Sequence, residues 1–193
     1  MKKILKYMSF HAAKKNNIIS NTCFSQEELN NAKNIILELQ RKTSEQIENG
    51  YGPFLAAIYD DKNNLIASMP NTVVNDCNCL HHAEINTINA AQKELNSYDL
   101  SKFNLSIYIT AEPCIMCAGA ILWSGIKKVF YGVSSKDVEE ITGFDEGYKP
   151  EWMQEFKKRN ILVCGNIEEE IGKNVLKNYV KTGKTIYKPE RFI

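Results

Sequence analysis

Strand and helix patterns alternate between residues 105 and 133, and this alternation restricts the chain to a small number of folds. The β-branched and aromatic residues of Leu105–Thr110 predict a strand. Pro113 suits the first position of a short helix over residues 114–124, and Lys127–Val133 predicts the next strand. A strand, a helix and a strand within about 30 residues predict a right-handed crossover between parallel strands.

The segments before this crossover add a helix, a hairpin and a second helix. A capping box begins at Ser25, and apolar residues then recur at helical spacing over about residues 26–48. Strand patterns over residues 54–59 and 65–69 flank a polar turn, which predicts a hairpin. Residues 82–95 return to helical spacing and predict the second helix.

Beyond Gly143 the patterns become weaker. They indicate a helix near residues 150–159, a short strand at Ile161–Cys164 and a last helix over about residues 167–181. The complete series predicts an α/β fold, a three-layer α/β/α sandwich with a mixed sheet of about five strands.

Length and charge indicate one domain with a small-molecule partner. The chain has 193 residues and is 44% hydrophobic, which is enough for one substantial core. We expect a single domain over residues 1–193, with a core at about 26–165 and a C-terminal helix and tail at 166–193. The chain has 24 Lys and Arg against 23 Asp and Glu, so no global field would hold a polyanion. Nucleic acid is therefore a weaker candidate partner than a small molecule.

The sequence carries no pattern of secretion or of membrane insertion. In Met1–Phe10, Lys6 interrupts any hydrophobic run, and no small-residue cleavage site follows. No apolar stretch approaches the roughly 18 residues that cross a bilayer, so we expect a cytoplasmic protein that does not enter a membrane. In a reducing compartment, the spacing of the six cysteines indicates metal chemistry rather than disulfides.

Two short segments carry the residues of a candidate metal site, and each opens a predicted helix. One is the tripeptide His-Ala-Glu that starts at His82, and the other is Pro-Cys-x-x-Cys with Cys114 and Cys117. These cysteines share one face of a first helical turn, where the helix dipole favours thiolates. A catalytic zinc has three protein ligands and one water, and His82 would complete the set. Glu84 can lie beside that water as a general base and then a general acid.

Other interpretations of these residues stay open at this point. A Cys-x-x-Cys pair also occurs in redox sites and in closed structural zinc sites. The redox interpretation gives the His-Ala-Glu segment no role. A closed site would need two further thiolates, which Cys77 and Cys79 could supply, although one intervening residue is short for a structural zinc pair. His81 is a second candidate imidazole, but only His82 stands two residues before Glu84.

Together, the two segments resemble the signature of the cytidine deaminase superfamily, which pairs His-Ala-Glu with Pro-Cys-x-x-Cys. The likeness extends over about residues 26–165 and includes Gly-Pro-Phe at 52–54 and Pro-Asn-Thr-Val at 70–73. The resemblance implies one zinc ion per subunit and a hydrogen bond from Asn71 to the substrate ring. It further implies a homodimer that pairs through helices near the site.

Within the superfamily, the chain is most similar to bacterial guanine deaminases. The segments that carry this likeness are 112–121, 122–125 and, above all, Thr-Gly-Phe-Asp-Glu-Gly at 142–147. The resemblance implies that Glu146 holds the purine and assists proton transfer, although an acidic loop residue is more often only solvated. Leu55 and the loop 77–81 depart from the usual pattern, and both departures concern the pocket rather than the ligands.

Further candidate contacts are aromatic or lie in the tail. Phe54 and Trp123 could stack on a base, but core packing is at least as common for large aromatic residues. Ala83 is a further candidate substrate contact within the signature. In guanine deaminases the C-terminal tail tends to cover the pocket, so Tyr187–Ile193 is a candidate lid.

The function expected from these residues is hydrolytic deamination of a nucleobase, with guanine converted to xanthine and ammonia. The enzymatic alternatives are cytosine, a purine nucleoside such as guanosine, and adenosine in tRNA. An alternative of another class is a non-catalytic binding protein that is stabilised by zinc.

Overall fold

A mixed five-stranded sheet forms the middle layer of the protein. The computed structural model describes residues 23–145 and 147–188. The strands are β1 Leu55–Tyr59, β2 Leu65–Pro70, β3 Ser106–Ala111, β4 Lys128–Val133 and β5 Leu162–Cys164. Their order in the sheet is β2-β1-β3-β4-β5. β1 is antiparallel to β2 and β3, whereas β3, β4 and β5 are parallel, so the predicted hairpin and parallel crossover are both confirmed.

Helices cover both faces of this sheet. They are α1 Gln26–Glu48, α2 Ala83–Glu94, α3 Ile115–Ser124, α4 Ser135–Thr142, α5 Trp152–Lys158 and α6 Glu169–Lys181, with a 3-10 helix at Ser101–Phe103. Buried residues of α2, α3 and α5 pack together on one face of the sheet. Buried residues of α1 and α6 pack against the other face. The structure therefore confirms the predicted three-layer α/β/α sandwich with five strands.

Local sequence signals account for where α1 and α4 begin. The Ser25 side chain accepts a hydrogen bond from the Glu28 N–H at 3.1 Å, and the Glu28 carboxylate accepts one from the Ser25 N–H at 2.8 Å. This is the predicted capping box. Helix α4 was not predicted, because its eight residues make only about two turns and include two apolar side chains, Val138 and Ile141. Ser134 caps it by accepting from the Asp137 N–H.

The ends of three strands meet at one edge of the sheet. Pro70, the last residue of β2, pairs with Leu55, the first residue of β1. The Leu55 N–H donates to the Thr110 hydroxyl of β3 at 3.1 Å. Phe54, Asn71 and the end of β3 are consequently adjacent, because the antiparallel order brings the start of β1 beside the ends of its two neighbours. Ligands of α/β proteins often bind at such a strand edge.

Some expectations concern parts of the chain that the structure does not describe. Residues 1–22, Glu146 and residues 189–193 lie outside the described residues. Within the described part, no helix is long and apolar enough to cross a membrane. The single domain over residues 1–193 and the cytoplasmic location stay predictions.

Candidate active site

The first turns of two helices bring the predicted metal ligands together. His82 is the N-cap of α2 and Cys114 is the N-cap of α3. Both residues have extended backbone conformations, and their carbonyls accept the first helical hydrogen bonds. Neither side chain caps its own helix. The donor atoms of His82, Cys114 and Cys117 all lie within 4.8 Å of one another. His82 precedes Cys114 by 32 positions and Cys117 by 35, so the fold brings distant segments together at one site.

The distances within this group fit zinc. His82 Nδ1 is 3.6 Å from the Sγ atom of Cys114 and 3.6 Å from that of Cys117. A tetrahedral zinc with a Zn–N bond of about 2.1 Å and a Zn–S bond of about 2.3 Å separates those ligand atoms by about 3.6 Å. One imidazole and two thiols are also a donor set that zinc prefers.

The two thiols are electrostatically unequal. The hydrogen bond from Cys117, assisted by His82, lowers the pKa of Cys114 to about 4. The pKa of Cys117 is raised well above its ordinary value, because it donates that hydrogen bond and is buried. Cys114 is thus poised as a thiolate, the form of cysteine that binds metals.

Glu84 lies one residue inside α2 and beside the thiol pair. Its side chain is only 6% exposed. Burial, with the nearby charge of Cys114 as the second cause, raises the pKa of Glu84 to about 7. A carboxyl group with a pKa near neutrality can both accept and release a proton at physiological pH. The arrangement therefore places a proton carrier next to a candidate metal centre.

A cavity of about 260 Å³ opens onto His82, Cys114 and Glu84. Asn71 forms one wall and is 1% exposed. Its Oδ1 atom accepts from the Val73 N–H at 3.3 Å, and a Cβ atom at Gly52 would lie only 2.8 Å from that oxygen. Glycine at position 52 is consequently required by the close approach of the Asn71 side chain.

Aromatic residues form a second wall of the cavity. Phe54 packs edge-on against Phe144 with ring centroids 5.4 Å apart, and Phe144 packs against Tyr187 at 5.0 Å. The Tyr187 hydroxyl accepts a hydrogen bond from Asn71 Nδ2 at 2.7 Å. A flat, apolar space bounded by a few directed polar groups is typical of a pocket for an aromatic ring.

A model of the MafB19-like deaminases matches residues 30–182, which is most of the chain. The chain belongs to the MafB19-like deaminase family. This family is part of the cytidine deaminase superfamily, so the predicted resemblance is confirmed.

Curated relatives of this deaminase act on several rings. The chain is 37% identical over 102 residues to a probable cytosine deaminase of Schizosaccharomyces pombe, covering 52% of this chain and 60% of the relative. It is 45% identical over 83 residues to a tRNA-specific adenosine deaminase of Rickettsia bellii, covering 42% and 56%. It is 39% identical over 97 residues to the guanine deaminase of Bacillus subtilis, covering 50% and 60%. The chain therefore spans less than two thirds of the length of these relatives.

Solved structures of similar proteins match a larger share of this chain than these sequence relatives do. A guanine deaminase from Nitrosomonas europaea has a TM-score of 0.70 and 36% identity, covering 77% of this chain and 82% of the other. A structure of the protein NE0047 in complex with 2,6-diaminopurine has a TM-score of 0.76 and 33% identity, covering 81% of this chain and 85% of the other.

Of the predicted contact residues, Trp123 and Ala83 do not contribute side chains to the cavity wall. Trp123 is 87% exposed and is absent from the cavity wall, so its side chain is not packed in the core, and its contact with a base stays a prediction. The reason is helical spacing, since Cys117 and Ile121 face inward and Trp123 lies on the opposite face of α3. The Ala83 side chain is buried in the core, so a contact from Ala83 would have to come from its backbone. Glu146 lies outside the described residues.

The structure also shows where the alternative imidazole, His81, and the alternative thiols, Cys77 and Cys79, lie. His81 pairs through Nδ1 with Asp76 at 2.7 Å and through Nε2 with Asn78 at 2.9 Å, away from the ligand group. Cys77 and Cys79 are exposed, and within the described residues the metal-ligand group contains neither of them. Cys79 nevertheless lines the cavity. Within the described residues, the group that could hold a metal ion therefore has three members, His82, Cys114 and Cys117.

Glu112 is a residue of the site that sequence reasoning did not single out. It lines the cavity immediately after β3. Its carboxylate accepts from the Ser135 N–H at the start of α4 at 2.9 Å and from the Trp152 indole of α5 at 3.3 Å. A carboxylate at a helix N-terminus is favoured by the helix dipole. Glu112 thus joins two helices to the loop that carries Cys114. In the sequence, the position of Glu112 directly before Pro113 is the only signal that could have indicated this role.

Proposed function

We propose that the protein is a zinc-dependent hydrolytic deaminase of a nucleobase, and that guanine is its substrate, which it converts to xanthine and ammonia. The observation that carries the proposal is the buried carboxyl of Glu84 beside the triad of His82, Cys114 and Cys117, inside a cavity sized for a base. A redox interpretation of Cys114 and Cys117 would give Glu84 no role, and the cavity gives a substrate access to the group.

The cofactor in this proposal is one zinc ion per subunit. His82, Cys114 and Cys117 would hold it, and the distances between their donor atoms suit it. When bound, zinc supplies acidification of a water molecule and stabilisation of developing negative charge.

Glu84 carries protons in the reaction. It takes one proton from water as the water oxygen bonds to C2 of guanine, and delivers it to a ring nitrogen. It then delivers the second water proton to the leaving amine as the bond from C2 to the amino nitrogen breaks, which releases ammonia. Its pKa of about 7 suits both directions of transfer.

Substrate recognition is assigned to the walls of the cavity. Asn71 binds the ring through its side-chain amide, which already meets a hydroxyl group in the cavity. Phe54 packs against a face of the ring, as its half-buried position among aromatic residues allows. Ala83 is assigned a contact through its backbone N–H, which has no acceptor within its own helix because it lies in the first turn. Glu146 is assigned the purine N–H groups by the family resemblance alone.

The extent of structural likeness favours guanine over the other rings. In structure, the guanine deaminase from Nitrosomonas europaea matches over 77% of this chain and 82% of its own. The sequence matches to cytosine, tRNA adenosine and guanine deaminases each cover about half of this chain and do not separate the rings. The near balance of charges also favours a small base over tRNA. Cytosine, guanosine and adenosine in tRNA remain the alternatives to be tested.

A homodimer is part of the same proposal. Helix α3 contains no charged residue, yet Ile115 and Trp123 on it are exposed. A helix that is apolar all round is normally buried, so a second subunit is the expected cover for this face.

One panel of substrates tests the proposed function. Ammonia release is measured from guanine, guanosine, cytosine, cytidine and a tRNA anticodon stem, with zinc-loaded protein and with protein stripped of metal. We expect release from guanine by the zinc-loaded protein only. Turnover of a different substrate in the panel would replace guanine with that substrate, and no turnover of any would favour the non-catalytic binding protein.

A further inference from the structure

One amide side chain links the substrate wall of the cavity to the metal-ligand helix. Asn86 lies in the first turn of α2, and its Nδ2 atom faces three acceptors. These are the Pro70 carbonyl at 2.9 Å, the Thr72 hydroxyl at 3.0 Å and the His81 carbonyl at 3.3 Å. Asn86 therefore contacts both the end of β2 and the residue that precedes α2.

The chemistry of these partners requires a donor at this position. Two of the three groups are carbonyls, which can only accept a hydrogen bond. The third, the Thr72 hydroxyl, already donates to Asp76 at 2.5 Å, so it also accepts from Asn86. An amide nitrogen offers two N–H groups, so one of them is shared between two of the three acceptors. A carboxylate in the same place would face two carbonyl oxygens and be repelled.

The two carbonyls flank the residues that matter in the proposed site. Pro70 directly precedes Asn71, and His81 directly precedes His82. The Thr72 N–H also donates to the His81 carbonyl at 3.0 Å, so the two segments are joined by a backbone bond that Asn86 reinforces. Asn86 is itself anchored, because its own N–H donates to the His82 carbonyl at 3.0 Å.

We propose that Asn86 is a positioning residue that fixes the substrate-binding Asn71 relative to the metal ligand His82. The inference rests on the proposed function for its kinetic consequence, but its geometric part concerns this chain whatever its substrate is. A displacement of about 1 Å at a reacting centre can lower a rate about a hundredfold, so a link between the two walls has a direct effect on turnover.

The variants for the test are Asn86→Ala and Asn86→Asp, each loaded with zinc. Alanine removes the amide, and aspartate keeps its shape while it replaces the donor with an acceptor. Asn89→Asp is the matched control, because Asn89 is exposed on the same helix. Melting temperature and zinc content are recorded for every variant, so that a loss of fold or of metal is recognised separately.

Hydrogen exchange by NMR gives a readout that needs no substrate. We expect Asn86→Ala to raise the exchange rate of the Thr72 amide by about tenfold or more, since it opens the joint between the two segments. We expect no change in Asn89→Asp. If the Thr72 amide exchanges at the wild-type rate in both Asn86 variants, the inference is overturned, even if guanine is deaminated as proposed.

A double-mutant cycle gives the functional readout. We expect Asn86→Ala to lower kcat/KM by about 10- to 100-fold in the wild-type background, with zinc retained. In an Asn71→Ala background, we expect the same change to lower kcat/KM by less than about threefold, because the residue that Asn86 positions is already gone. Equal losses in both backgrounds would overturn the positioning role. A wild-type protein that deaminates nothing would contradict the proposed function alone, and the exchange measurement would still decide on Asn86.

Discussion

Asn71 and Tyr187 lie 116 residues apart in the sequence and are joined by a 2.7 Å hydrogen bond inside the cavity. Asn71 directly follows β2, whereas Tyr187 follows the last helix. Burial raises the pKa of Tyr187, so its hydroxyl stays protonated and its own proton is available to a substrate. Tyr187 and Lys188 therefore contribute to the wall of the cavity, whereas the rest of the candidate lid at Tyr187–Ile193 lies outside the described residues.

Removal of this hydroxyl tests its contribution. We expect Tyr187→Phe to raise KM for guanine by up to about tenfold with little change in zinc content, because one neutral hydrogen bond that orients Asn71 is lost. Steady-state kinetics measure the effect. Tyr148→Phe removes a hydroxyl from an exposed tyrosine and is the control. An unchanged KM in Tyr187→Phe would show that the hydroxyl does not orient the amide.

A substitution at Gly52 tests whether the position of the Asn71 side chain matters for turnover. A Cβ atom at Gly52 would lie 2.8 Å from Asn71 Oδ1, so Gly52→Ala must displace that side chain. We expect a tenfold or larger loss of kcat/KM, on the order of the loss that misplaced contacts cause. In an Asn71→Ala background the same substitution should have little further effect. A full loss in that background would mean that Gly52 acts through the backbone instead.

A substitution at Trp123 distinguishes a role of the outer face of α3 from a role in the cavity. Because its side chain is 87% exposed and outside the cavity wall, we expect Trp123→Ser to keep guanine turnover per zinc close to that of the wild type. We also expect weaker self-association, measured by analytical ultracentrifugation, since the variant loses apolar area from the proposed dimer face. Lost turnover in a variant that still dimerises would restore Trp123 as a substrate contact.

Glu112 is expected to matter for stability. Glu112→Gln weakens two hydrogen bonds to a carboxylate, at Ser135 and Trp152, so we expect the free energy of unfolding to fall by about 1–3 kcal/mol. Urea denaturation measures it. Glu155→Gln breaks only exposed ion pairs, with Lys158 and Arg159, and should cost less than about 1 kcal/mol. Equal losses in the two variants would argue against a joining role for Glu112.

The sequence predicted those parts of the fold that depend on local periodicity. The strands and helices from Leu55 to Val133 follow apolar spacing, and each element was predicted close to its observed bounds. The metal ligands were predictable for the same reason, since a Cys-x-x-Cys pair at a helix start reports a shared helical turn. Helix α4 was missed because it is only eight residues long and contains two apolar residues, Val138 and Ile141, too few to establish a period.

The remaining features depend on contacts between distant segments. The bond from Asn71 to Tyr187 and the bonds of Glu112 join elements whose meeting depends on the completed sheet. Local sequence patterns do not predict such long-range contacts. Trp123 is a further example, because it lies near the candidate ligands in sequence while the helix directs its side chain to the opposite face.

The most direct test of the central claim compares Glu84→Gln with wild type in zinc content and guanine turnover. Glutamine keeps the size of the side chain but cannot carry a proton at neutral pH, so we predict one zinc per subunit in both proteins and a loss of kcat of about 10²- to 10⁴-fold in the variant. Glu94→Gln, an exposed change on the same helix, should leave both quantities unchanged. A Glu84→Gln variant that binds zinc and still deaminates guanine at the wild-type rate would contradict the account.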